Sequence, residues 1–108
     1  MVENLFLEQC IIKTMMQDDE YAFTVVSAFR EVFFETPGVG SIFNTIKINL
    51  KEHNEIPQKE IIINSVNDKD DVEKFFNEIN TIEYDTAKNY DWLMEETNKY
   101  LKDKAIKT

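Results

Sequence analysis

The stretch FFETPGVGSIFNTIKINLKEHNEIPQKEIIINSV, running from Phe33 to Val66, decides the fold. It reads as an aromatic anchor, a Pro/Gly turn, a central helix and a second turn that opens a short helix. In Thr36-Pro37-Gly38-Val39-Gly40 the proline fixes its own φ and pushes the preceding residue out of the helical region, while the glycines admit positive φ. A helix starts after this turn, with Ser41 the candidate cap. Val39, Ile42, Phe43, Ile46 and Leu50 stand at i, i+3, i+4, i+7 and i+11, one apolar stripe on a helix carrying Lys47, Lys51 and Glu52 elsewhere. Ile56-Pro57 ends that run, because proline is accepted at the start of a new helix but not inside an old one. Gln58-Lys59-Glu60 then leads into a short helix over Ile61-Ile62-Ile63 and Val66.

Toward the amino terminus, Val2, Leu5, Phe6, Ile12 and Met16 follow helical spacing, and Leu7, Cys10, Ile11 and Met15 spread the apolar surface round most of the circumference. A helix so apolar is central or shared with another chain. Asp18 or Asp19 caps a second helix carrying Ala22, Val25, Val26 and Phe29. Arg30 to Glu35 reads as an extended plug beneath the central helix, with continuation of the second helix as the alternative. Toward the carboxyl terminus, Asp68 and Asp71 sit at a capping spacing before Val72, Phe75, Phe76 and Ile79, another i, i+3, i+4, i+7 set. A polar segment follows, and a last helix carries Trp92, Leu93, Thr97, Tyr100, Leu101 and Ala105, with Glu95 placed to pair with Lys99. No segment alternates with period two, and Ile61-Ile62-Ile63 is too short to carry a sheet. The expected architecture is all-α: one domain, residues 1–108, built as a small orthogonal bundle of about six helices.

Composition limits the functions open to the chain. At 108 residues it is large enough to bury a core without staples, and its single cysteine, Cys10, excludes an internal disulfide and a cysteine-rich zinc site. Twenty-one acidic residues against twelve basic ones give a net charge of −9, which repels phosphate and disfavours direct nucleic-acid binding. Nothing in the chain approaches the unbroken apolar run of a membrane span, so a cytoplasmic protein without membrane contact, with a protein as its direct partner, is the expectation.

A search for chemistry finds no catalytic constellation. His53 is the only histidine and reads as a helix-end residue favoured there by the dipole. Asp18-Asp19-Glu20 and Asp68-Asp70-Asp71 lack the glycine and terminal glutamate of a calcium loop and read as solvated helix starts. Pro37-Gly38-Val39-Gly40-Ser41 lacks the lysine and spacing of a phosphate loop. Ser27, Ser41 and Ser65 have no partner motif, and the aromatic residues carry no interleaved arginines, which leaves core or protein interface as their role. No catalytic, cofactor-binding or metal-ligating residue is assigned.

Glu8-Gln9-Cys10-Ile11-Ile12, then Met15-Met16, an acidic turn, Phe34 with Pro37 and Ile42-Phe43, and Ile56-Pro57 before a short helix together resemble the amino-terminal domain of DnaB-type replicative helicases. The likeness is closer to the replicative helicases of T4-like phages, through Phe43-Asn44-Thr45-Ile46-Lys47 and the segment from Asp91 to Tyr100, DWLMEETNKY. It covers nearly the whole chain. The resemblance implies an excised all-helical head domain whose last helix leads toward a helical hairpin, followed in the parent by a RecA-like ATPase that would hold ATP and magnesium. It also implies a non-catalytic role in a homohexameric helicase ring at the replication fork, docking the primase and a helicase loader. On that reading Trp92, Leu93, Tyr100 and Leu101 form the candidate protein interface, with ordinary packing of the last helix the competing account for Trp92 and Leu93. Two alternatives remain open: a free-standing acidic phage protein acting as a DNA mimic or inhibitor, and the helicase-binding domain of a primase.

Overall fold

The computed structural model describes residues 2–85 and 87–107. Among them are six α-helices and no strand: α1 (Val2–Met15), α2 (Asp19–Ala28), α3 (Val39–His53), α4 (Lys59–Ser65), α5 (Lys69–Ile79) and α6 (Tyr90–Lys107). The fold is a small all-α bundle. α1 and α3 form its interior, α1 touching α2, α3, α5 and α6, and α3 touching α1, α2, α4 and α5. No helix among the described residues is long and apolar enough to cross a membrane.

The stripe expected on α3 is the one buried: Val39, Ile42, Phe43, Ile46 and Leu50 all lie in the core. Its ends differ from the sequence reading. Gly38, at φ 90°, precedes the first turn, and Ser41 lies inside the helix, its hydroxyl donating to Asp68 Oδ2 at 3.0 Å rather than capping. The helix stops at His53 because Asn54 turns left-handed, at φ 55°, and donates its N–H to the Leu50 carbonyl. Asparagine accepts that conformation more readily than most side chains. Pro57 is buried in the connection and α4 opens two residues later.

Residues 30–35 neither continue α2 nor run fully extended. A single 3-10 turn over Glu31–Phe33 presents Phe33 and Phe34 inward, the ring of Phe34 lying 5.1 Å from that of Phe43 on α3. Phe29, buried just after α2, stacks on both Phe34 and Tyr100, with centroids 5.6 and 5.8 Å apart. The plug is therefore an aromatic layer joining α2, α3 and α6. Asp18 caps α2, its carboxylate accepting the Tyr21 N–H at 3.0 Å. Asp68 precedes α5 without a side-chain capping bond, its carboxylate having been taken by Ser41.

Cys10 lies at the centre of α1 with no exposed surface. Burial pushes its thiol up from the ordinary 9.0 to about 12, with Lys13 acting weakly in the other direction. The same cause raises the phenols of Tyr21 and Tyr100. These groups keep their protons in the native state above the pH at which the unfolded chain releases them, so the stability they carry is complete below about pH 9 and is lost as pH rises toward 12. The urea midpoint is expected to fall steadily over that window. At pH 8, Cys10 should react with an aromatic disulfide reagent only as fast as the protein opens; labelling at the rate of a free thiol would contradict this placement.

Candidate protein-interaction surface

α6 is long enough, at about 27 Å, to lie along the whole body, whose extents are 31 × 29 × 28 Å. Leu93, Thr97, Tyr100 and Lys104 recur at i, i+4, i+7 and i+11 and face inward. Leu93 is fully buried, and Thr97 Oγ1 shares a 2.8 Å hydrogen bond with the Tyr21 hydroxyl on α2. The single hydroxyl proton of Tyr100 is shared between Glu8 Oε2, at 2.5 Å, and the Phe33 carbonyl, at 2.7 Å. Lys104 pairs with the Glu35 carboxylate, which also accepts from Asn4 Nδ2 at 3.1 Å, and its ammonium stands 5.4 Å from the Tyr100 ring centroid.

The four residues expected to form one interface are thus divided. Leu93 and Tyr100 are core. Trp92 is 43 % exposed and Leu101 half-buried. Nine residues are about two and a half turns, so Trp92 and Leu101 emerge on opposite flanks of α6. What shares the surface with Trp92 is Phe6 of α1, 42 % exposed, the two rings tilted at 48° with centroids 6.2 Å apart. Tyr84, in the loop before α6, has its ring centroid at the same 6.2 Å from the indole. Phe6 and Trp92 are separated by most of the chain; sequence reading placed both on helical stripes and had no signal that the stripes meet.

Between α1 and α6 this aromatic pair opens a groove of about 390 Å³, floored by Leu7 and Tyr100 and edged by Glu96, Lys99 and Asp103. The Lys99 ammonium lies 3.2 Å from Glu96 Oε2 and 3.5 Å from Glu95 Oε1, and the Glu96 carboxylate foremost, then Glu95, holds it above its ordinary pKa. Lys99 thus bridges two carboxylates of its own helix.

Other features offer less. A depression of about 810 Å³ beside Thr14, Asp18, Asp19, Glu20 and Tyr90 is acid-lined, but the Asp18 carboxylate is committed to its cap. The Ser27 and Ser65 hydroxyls donate to the backbone four residues earlier. His53 is exposed at the end of α3. Among the described residues no group of three or more His, Cys, Asp or Glu side chains is arranged to hold a metal ion.

The buried polar junction at Glu8 is the feature sequence reading did not anticipate. Glu8 has no exposed surface, and its two oxygens accept the backbone N–H groups of Glu35 and Thr36, at 2.8 and 3.0 Å, as well as the Tyr100 hydroxyl. One side chain of α1 thereby fixes both the plug and α6. No protein-family model matches the chain, and no curated protein or solved structure matches it significantly.

Proposed function

We propose that this chain is a non-catalytic assembly and docking domain of a phage-type replicative helicase, working in the cytoplasm at the replication fork. In this reading it contributes to a homohexameric ring and presents a surface to the primase, with a helicase loader as a further partner, while ATP and magnesium belong to the parent's ATPase domain. The ordered resemblance from Glu8-Gln9 to the DWLMEETNKY segment supports it, as does the acidic surface, better suited to protein than to DNA. The observation that carries it is the outward half of that same segment: Leu93, Thr97 and Tyr100 are used up by internal packing, but Trp92 is left at the surface beside Phe6. Exposed aromatic pairs of this kind are the usual anchors of protein interfaces.

Sedimentation of the chain over a range of concentrations, alone and with the primase of the same replication system, tests the reading. Self-association or a heavier species on adding primase is expected. A strict monomer that ignores primase would overturn it.

A further inference from the structure

We propose that the plug and the carboxyl-terminal turns of α6, residues 100–107, form a latch. The two open together while the rest of the bundle stays folded, and their opening uncovers Phe29 and the Phe43 face of α3. The inference is independent of the docking function proposed above.

Neither piece holds itself in place. The plug is one 3-10 turn, closed by the Phe33 and Phe34 N–H groups donating to the Arg30 and Glu31 carbonyls, and the backbone that follows it depends on side chains from elsewhere. Glu8 of α1 accepts the N–H groups of Glu35 and Thr36, and the Tyr100 hydroxyl of α6 stands 2.7 Å from the Phe33 carbonyl. α6 divides at Tyr100. Before it, Leu93 is fully buried and Thr97 is tied to Tyr21 of α2. After it, among the described residues, no side chain is buried: Leu101 and Lys104 are half-buried, and Ala105 and Ile106 are exposed. Helical turns with so little apolar cover fray unless something anchors them. Here the anchors run to the plug, from Tyr100 to Phe33 and from Lys104 to the Glu35 carboxylate.

The aromatic rings make the support mutual. Phe29 stacks on Phe34 and on Tyr100, and Phe34 tilts against Tyr100 with centroids 6.2 Å apart. Loss of the end of α6 therefore strips the plug of a polar tie and of part of its aromatic cover, and loss of the plug removes the Phe33 and Glu35 contacts that anchor the end of α6. Reciprocal dependence of this kind makes one cooperative opening. α3 loses the contact of Phe34 with Phe43 when the latch opens, but keeps its packing on α1, α2, α4 and α5. Whatever holds or pulls the end of α6 thereby sets how often this apolar surface is uncovered.

Native-state hydrogen exchange, followed residue by residue at low urea, tests the latch. The amides of Glu35 and Thr36 in the plug and of Lys104 and Ala105 in α6 are expected to share one opening. It should be at least about tenfold more frequent than the opening that exposes Ile46 and Leu50 in α3, with a smaller dependence on urea. Leu101→Ala, on the α6 side where Leu101 packs against the core, should speed all four latch amides by the same factor, about tenfold. Ile79→Val, in the core face of α5, should speed Ile46 and Leu50 about fivefold and leave the four latch amides within about twofold. Exchange of Glu35 and Thr36 at the rate and urea dependence of α3 would mean that the plug opens only with the whole fold, and would overturn the proposal. So would a response to Leu101→Ala at Lys104 and Ala105 but not at Glu35 and Thr36, which would mean that the end of α6 frays by itself. Equal acceleration of all six amides by Ile79→Val would overturn it as well, since no partial opening would then exist.

Discussion

Glu8→Ala is expected to destabilise the fold by about 3–5 kcal/mol, the largest effect of any single polar substitution in the chain. The carboxylate is fully buried and accepts the N–H groups of Glu35 and Thr36 and the hydroxyl of Tyr100. Truncation leaves two part-buried backbone donors without their acceptor, and it opens a cavity at the junction of α1, the plug and α6. Tyr100→Phe should cost less, about 1–2 kcal/mol, because Glu8 keeps both backbone donors and only the hydroxyl's bonds to Glu8 and the Phe33 carbonyl disappear. Glu8→Gln should fall between them, since an amide can accept from only one of its two ends and must turn a donor toward a donor at the other. Urea unfolding at constant m-value checks the order. If Tyr100→Phe proved as damaging as Glu8→Ala, the carboxylate would not be the organising group.

Gly38→Ala should cost about 2–4 kcal/mol, whereas the same change two residues away at Gly40 should be close to neutral. Gly38 sits at φ 90°, where a Cβ is strained. The added carbon would also lie 3.0 Å from the backbone carbon of Asp71 and the nitrogen of Val72, in the first turn of α5. Backbone cannot rotate aside, so α3 and α5 would have to separate. At Gly40, inside α3, the nearest atoms are Glu31 Cγ at 3.2 Å and its carbonyl oxygen at 3.3 Å. That tight fit offsets the roughly 0.5–1 kcal/mol an alanine gains over glycine in a helix. Thermal unfolding of the two variants side by side makes the comparison; equal losses would mean that glycine is needed in this turn for flexibility rather than for space and sign of φ.

Much of the fold could be read from periodicity, because burial imposes period 3.6 on any helix with one inward face. The core faces of α3 and α5 are the residues their spacing marked, down to Leu50 and Ile79. The wide apolar perimeter of α1 signalled a central helix, and it is one. Helix ends were less legible, since caps depend on what else competes for the side chain. Ser41 and Asp68 each looked like a cap, and each is spent on the other across the α3–α5 contact. The plug was placed correctly beneath α3 but not its conformation, because one 3-10 turn has no repeating pattern to read.

The candidate surface was half legible. An apolar residue on the last helix is marked by its type, but whether it points inward depends on which neighbour arrives there. Tyr100 and Trp92 look alike as aromatic members of one stripe; Glu8 and the plug draw the first inward, and Phe6 meets the second at the surface. The sequence by itself determined the helical class, the chief buried faces and the acidic character, because periodicity, turn chemistry and charge are local or additive properties. Only the tertiary structure decided that Glu8 ties three elements together and that Phe6 and Trp92 share a groove. Glu8 with Tyr100, and Phe6 with Trp92, are meetings of residues about ninety positions apart, fixed by how the helices pack.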